Sequence, residues 1–270
     1  MYATHSSAAQ VDGFLHVYFL DIGQGDSELI VSPTGNRVLI DGGPDGAVLG
    51  QLSNVMPFFE QHLDAVIATH PHIDHIGGLM PVLEQYDVGS IVQASISFRS
   101  AAFSTWMHDI ESEQAKIIWA VAGTAMDLGG GARLTILNPT EPGLHDVTNN
   151  PHSQMVVALL EYQHVKILFT GDAESEIENR LVQQYADLID ADVLKVGHHG
   201  SKTSTTENFL RAVTPQTAVI EVGAKNTYGH PTPTVLERLE TFGIKYYRTD
   251  TDGTVSLISD GNTFQITKEK

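Results

Sequence analysis

From Phe14 onward the chain alternates short apolar runs with punctuation by glycine, proline, asparagine and aspartate. FLHVYFL (Phe14–Leu20), SELIVS (Ser27–Ser32) and RVLID (Arg37–Asp41) read as three consecutive strands separated by the turn-forming stretches GQGD and PTGN. The pattern then predicts a helix over Val48–Gln61, bent near Pro57, because proline removes a helical donor. The wholly apolar centre of DAVIATH (Asp64–His70) reads as a buried strand. A helix is expected over Gly78–Gln85, a strand at Ser90–Gln93 and an amphipathic segment over Phe103–Gln114.

Strands follow at Arg133–Leu137, Gln154–Tyr162 and HVKILFTGD, which ends on Asp172. Beyond it, expected helices at Glu174–Tyr185, Thr205–Val213 and Thr232–Phe242 alternate with ADVLKVGHHG and TAVIEVG, and IKYYRTD and TVSLIS close the chain. Two β-rich halves that each acquire helices predict an α/β protein of two sheets packed face to face with helices outside. No linker or repeat interrupts the pattern, so residues 14–270 are read as one domain and residues 1–13, small and polar, as a disordered leader.

Composition narrows the chemistry. The 270 residues contain no cysteine, which excludes disulfides and thiolate ligands and leaves the compartment undetermined by redox chemistry. Any metal must be held by histidine, carboxylate and water. The 13 histidines therefore matter, because several fall in clusters. Acidic residues outnumber basic ones 33 to 15, a formal charge of -18 that repels polyanions at long range and counts against tight DNA binding. No apolar run reaches the ~20 residues that span a bilayer, so this chain is not expected to insert in one.

In ATHPHIDHIGGL, residues His70, His72, Asp74 and His75 crowd the end of an apolar strand. His70 and His72 are two apart, so in extended backbone their rings share a side and can face one cation. Asp74 and His75 follow where the strand turns into a helix, and suit a second. Asp172, after ILFTG, is the expected carboxylate bridge, since open α/β folds place reactive groups at the carboxyl ends of strands. LKVGHHGSKTS brings His198, assigned to the metal centre, with His199, Ser201 and Lys202 assigned to substrate oxygens. In EVGAKNTYGHP, Asn226 and Tyr228 are expected to bind substrate, and His230 to be a ligand or a general acid. A protonated His230 or Asp74 would serve the departing oxygen. Near the start, Asp21, Gln24, Asp26 and Asp41 lie at strand ends, and Asp41 is the choice for holding a ligand imidazole by hydrogen bond.

These segments resemble the metallo-β-lactamase fold superfamily, whose H-x-H-x-D-H pattern is here His70, His72, Asp74 and His75. The order and spacing of HVYFLDIGQGDSELI, VLIDGG, THPHIDHIGG, ILFTGDAE, LKVGHHGSKTS and NTYGHP are similar to the nuclease-like domain of the ComEC family of DNA-uptake competence channels. The resemblance implies an αββα sandwich, two divalent ions (zinc or manganese) at the strand ends, and hydrolysis by water activated between them. It makes phosphodiesters, DNA among them, the first substrate class. A small-molecule ester of the phosphorylcholine type, a lactone or a β-lactam is the alternative, and a non-catalytic binding domain the third reading. Many members of the superfamily place a histidine ligand upstream of the bridging aspartate. Here the segment is TNNPHSQM, leaving Asn150 or His152 for that place. ComEC channels are large membrane proteins, so the chain would be extracellular or periplasmic as part of one and cytoplasmic if free-standing.

Overall fold

The computed structural model describes residues 11–270. The expected leader thus falls largely outside the described residues; of its last positions, Asp12 accepts a hydrogen bond from the Phe14 amide and pairs with His16.

Two mixed sheets form the centre. The first has eight strands in the spatial order 264–268, 255–259, 15–19, 28–31, 37–40, 65–68, 90–93 and 116–119. The second has seven, in the order 125–129, 132–138, 157–162, 165–169, 193–195, 217–220 and 245–248. Each sheet changes character partway. Antiparallel pairing runs through the meander to Arg37–Ile40 in one and Val165–Phe169 in the other, and pairing is parallel from there on.

The period of two along each strand sorts the apolar residues into three layers. Leu15, Val17, Phe19, Ile30, Ala65 and Ile67 face Ala158, Leu160, Ile167, Phe169, Val193 and Val219 across the gap between sheets. The alternate residues Leu29, Leu39 and Val66 pack outward beneath helices 47–55, 79–85 and 101–112, which bury Val48, Leu52, Val82, Phe103 and Trp106. On the other side Leu159, Leu168, Leu194 and Ala218 lie beneath helices 175–185, 207–213 and 233–241, which contribute Ile177, Leu181, Phe209, Leu210 and Val235. The layers are therefore αββα, as expected from the alternation of elements. Each fully buried large apolar side chain contributes about 1.5–3 kcal/mol by leaving water, before conformational entropy is set against it.

Three local differences have physical reasons. The helix expected over Val48–Gln61 stops at Val55, because Met56 precedes Pro57 and adopts extended backbone at φ -102° and ψ 151°. The residues beyond instead form the short strand His62–Leu63, paired with Asp87–Val88. Strands Lys116–Trp119, Ala125–Gly129 and Phe264–Lys268 were not legible in the hydrophobic pattern. All three lie at sheet edges, and their half-exposed residues alternate weakly. The strand expected from Gln154 begins at Val157, and residues 151–154 form a turn that carries His152.

Candidate metal centre

The carboxyl ends of the parallel strands converge on one edge of the sandwich. Strand Ala65–Ala68 delivers Thr69 and His70, and His72 caps the single helical turn Ile73–Ile76, which carries Asp74 and His75. Strand Val165–Phe169 delivers Asp172, and strand Val193–Lys195 leads into the turn Gly197–Gly200 with His198 and His199. Both histidines of that turn are left-handed, at φ 49° and 53°, a conformation that costs about 1–3 kcal/mol for a residue with a side chain. The glycines of His75-Ile-Gly77-Gly78 are needed for close approach: a Cβ on Gly78 would lie 1.9 Å from the Gly42 carbonyl oxygen.

Two groups of ligand-type atoms flank Asp172. In the first, His70 Nε2 lies 3.0 Å from His72 Nδ1 and 3.7 Å from Asp172 Oδ2, and His152 Nε2 lies 3.4 Å from His72 Nδ1. In the second, His199 Nε2 is 3.5 Å from Asp74 Oδ2 and 3.5 Å from Asp172 Oδ1, and His75 Nε2 is 3.4 Å from Asp172 Oδ2. His70, His72, His152 and Asp172 offer one set of atoms compact enough for a cation, and Asp74, His75 and His199 another.

Hydrogen bonds decide which nitrogen of each imidazole faces inward. His75 Nδ1 donates to Asp41 Oδ2 at 2.7 Å, and His199 Nδ1 donates to the Glu221 carbonyl at 2.9 Å, since a carbonyl can only accept. The Thr69 hydroxyl gives its proton to Asp41 at 2.6 Å and so accepts from His70 Nδ1 at 3.1 Å. In all three rings Nε2 is thereby the inward-facing atom, and that of His70 meets His72 Nδ1 at 3.0 Å. His75 Nε2, His199 Nε2 and Asp172 Oδ1 are buried with no hydrogen-bond partner among the described residues, which is costly unless something else satisfies them.

The electrostatics ask for positive charge. Burial would raise Asp172, but His199, His75 and His70 hold its carboxyl well below the usual range. Burial would likewise raise Asp74, yet the neighbouring His199 and His75 bring it to about 2. Burial would lower His199, but Asp172 and Asp26 push it up to about 10, and Asp172 and Asp41 raise His75 in the same way. In contrast, burial depresses His70 and His72 and takes His152 down to about 4, so these three keep free lone pairs at neutral pH. A nitrogen and carboxylate donor set with orphaned inward atoms, protonated only where carboxylates crowd it, fits divalent cations.

Beside the centre opens a cleft of about 310 Å³ lined by Gln24, His72, Ile73, Asp74, Asp172, His198, His199, Tyr228 and His230. Tyr228 stacks on His230 with ring centroids 5.9 Å apart, and His230 lies 5.7 Å from His198. The structure sorts the remaining sequence candidates differently from expectation. His199, assigned to substrate, sits in the ligand-type group with Asp74 and His75, while His198, assigned to the metal centre, forms a further such group with His152 and Glu174 at the cleft, its Nε2 3.7 Å from Asp172 and its Nδ1 3.2 Å from Glu174. Adjacent side chains in a left-handed turn diverge, and the Glu221 carbonyl captures only one of them.

Asn226 does not line the cleft. Its amide donates to the carbonyls of Gly223 and His230, both at 2.8 Å, and accepts from the His230 amide, closing the loop instead of meeting substrate. Ser201 pairs its hydroxyl with Thr203, and Lys202 is exposed outside the cleft lining. Asn150 is exposed in the turn whose next-but-one residue, His152, reaches the centre. Two further residues of the site carry little signal in the sequence: Ile73, an apolar position inside the histidine motif, and Glu174, two positions after Asp172.

Comparison with known proteins agrees with this geometry. Residues 20–223 match the family model described as Metallo-beta-lactamase superfamily. The chain is 32% identical over 275 residues to ComE operon protein 3 of Bacillus subtilis, covering 94% of this chain and 34% of that protein. It is 31% identical to competence protein ComA of Neisseria gonorrhoeae, covering 88% of this chain and 31% of that one. It thus spans about a third of the length of these curated relatives. Among solved structures, Tm1679, a metal-dependent hydrolase of the beta-lactamase superfamily, superposes with a TM-score of 0.56 at 13% identity, covering 87% of this chain and 95% of that one.

Proposed function

The chain belongs to the metallo-beta-lactamase superfamily, and on that premise we propose that it is a metal-dependent phosphodiesterase with DNA as the first candidate substrate. The observation that carries the proposal is the convergence of His70, His72, His152, Asp74, His75 and His199 on the two sides of one buried carboxylate, Asp172. These residues would hold two divalent ions, zinc or manganese by donor chemistry, which when bound would activate water near neutral pH and offset charge on the attacked group.

The chain's own residues do the rest. Asp41 and the Glu221 carbonyl hold imidazole Nδ1 protons, so that Nε2 atoms stay turned inward. His230 lines the cleft beside His198 and is placed to give a proton to the departing oxygen. Tyr228, largely exposed on the cleft wall, offers a ring face to a group flanking the scissile bond, and a nucleobase suits it. The kinship with competence proteins supports DNA over other phosphodiesters.

The charge of -18 favours a second reading, a small-molecule hydrolase on the same centre, because a small ligand escapes the long-range repulsion that a polyanion meets. One experiment separates the two. The protein is loaded with zinc or manganese and assayed on single- and double-stranded DNA, bis-p-nitrophenyl phosphate, nitrocefin and a lactone, with Asp172→Ala as control. Cleavage of DNA that Asp172→Ala abolishes supports the first reading. Turnover of the ester, lactam or lactone substrates without DNA cleavage supports the second, and no phosphodiester cleavage under any metal ends the first.

A further inference from the structure

Lys195 is fully buried at the end of strand Val193–Lys195. An ammonium in that position persists only with charged or hydrogen-bonding partners, because its desolvation costs several kcal/mol or more. Its Nζ donates to the carboxylate of Asp26, equally buried, and to the Gly171 carbonyl at 3.0 Å. Lys195 ends a strand of the second sheet and Asp26 lies in the loop joining strands Leu15–Phe19 and Glu28–Val31 of the first, so the pair links the two halves of the sandwich beside the candidate metal centre.

Asp26 has further partners. Its Oδ1 lies 3.1 Å from His199 Nδ1, and its Oδ2, which meets Lys195, lies 3.7 Å from His75 Nδ1. These are two of the three residues of the Asp74, His75 and His199 group, and the contacts are made on the outward nitrogens. The third, Asp74, is reached through the backbone: the Asp26 amide donates to the Asp74 carbonyl at 3.3 Å. That approach requires Gly25, where a Cβ would lie 2.1 Å from the Asp74 carbonyl oxygen. The other group is anchored elsewhere, His70 through Thr69 and His152 near Glu174.

We infer that Asp26, locked in place by Lys195, is a positioning residue for one half of the two-cation centre, setting the rings of His199 and His75 and the backbone of Asp74, while the half built on His70, His72 and His152 is positioned without it. A carboxylate held by the Lys195 ammonium and facing His199 Nδ1 at 3.1 Å and His75 Nδ1 at 3.7 Å gives a reason for a buried ion pair where two apolar residues would pack at less desolvation cost. The inference rests on the two-cation reading proposed above.

The test is zinc titration of the metal-free protein by calorimetry, with His152→Ala marking the half that Asp26 does not serve. Two equivalents are expected for the unmutated protein. Asp26→Asn should weaken one of them roughly 10- to 100-fold and leave the one that His152→Ala removes at its original affinity. Because Asp26→Asn strands a buried ammonium, the charge-balanced double variant Asp26→Asn, Lys195→Met is titrated alongside and should weaken the same equivalent. Unchanged isotherms, equal weakening of both equivalents, or loss confined to the His152-dependent equivalent would each overturn the inference. On the zinc-loaded unmutated protein, imidazole nitrogen NMR should show His199 protonated at Nδ1 and ligated at Nε2, and the opposite tautomer would also overturn it. A chain that takes up no zinc at all fails the proposed function itself, a result distinguishable from all of these.

Discussion

Asp41 and His75 meet at 2.7 Å in the fully buried layer behind the metal centre, with His75 Nδ1 donating to Asp41 Oδ2. The same carboxylate accepts from the Thr69 amide at 2.8 Å and from the Thr69 hydroxyl, whose oxygen takes the proton of His70 Nδ1. One aspartate therefore sets the orientation of an imidazole on each side of Asp172. Asp41→Ala is expected to weaken both metal equivalents by roughly 10- to 100-fold, read by competition with a chromophoric chelator. Weakening of a single equivalent would contradict the shared role.

The turn containing TNNPHSQM offers a cleaner choice. His152 Nε2 lies 3.4 Å from His72 Nδ1, whereas Asn150 is exposed. His152→Ala should reduce zinc content from two equivalents toward one, measured by elemental analysis, and Asn150→Ala should leave it unchanged. The reverse outcome would make Asn150 the ligand.

Metal loading should release protons. His199 has its pKa pushed up to about 10, because Asp172 and Asp26 overcome the opposing effect of burial, and His75 is raised for the same reason. His199 is thus protonated at pH 7 without a cation and must lose its Nε2 proton to accept one. Calorimetry in buffers of different ionisation enthalpy should show net proton release at pH 7 that shrinks as pH rises toward 10. Zero or inverse proton linkage would contradict the placement of these nitrogens at the centre.

A buried acid below the site governs stability. Burial and the neighbouring Asp26 push Glu28 up to about 8 from its ordinary 4.5. Its folded pKa exceeds its unfolded one, so the folded state binds the extra proton between those values. The contribution is full below about 4.5 and is lost as pH rises through about 8. Urea unfolding should therefore show stability falling between about pH 4.5 and 8, and Glu28→Gln should flatten that slope. A slope unaffected by Glu28→Gln would place its origin elsewhere, with Glu221, also raised by burial, next in line.

The cleft makes a prediction about turnover. Tyr228 is 69% exposed and stacks on His230, so Tyr228→Ala should raise KM for an oligonucleotide more than tenfold while leaving zinc content at two equivalents. An unchanged KM would remove the ring from substrate binding. Base stacking on an aromatic ring is worth about 1–3 kcal/mol, which sets the size expected.

The residues His70, His72, Asp74 and His75 were readable as a ligand cluster before any fold was known. They lie within six positions, so strand and helix geometry alone dictates which side chains share a face. Asp172 was readable for a related reason, since it ends a strongly apolar strand, and such strands end where open sheets gather their chemistry. The layered αββα architecture followed from the alternation of apolar strands with amphipathic helices. Edge strands such as Lys116–Trp119 escaped because half-exposed strands carry little periodic signal.

Sequence by itself determined the donor types, the absence of thiolate chemistry and the local pairing within each motif, because these depend on residue identity and on neighbours a few positions away. Only the tertiary structure showed that His199 packs with Asp74 and His75 while His198 faces His152 and Glu174, that His152 and not Asn150 approaches His72, and that Asn226 and Lys202 lie outside the cleft lining. Each of those placements turns on a partner distant in the chain, the Glu221 carbonyl for His199 and His72 for His152, and on which backbone groups had already claimed a side chain's hydrogen bonds. Such partners become neighbours only once the two sheets close on each other.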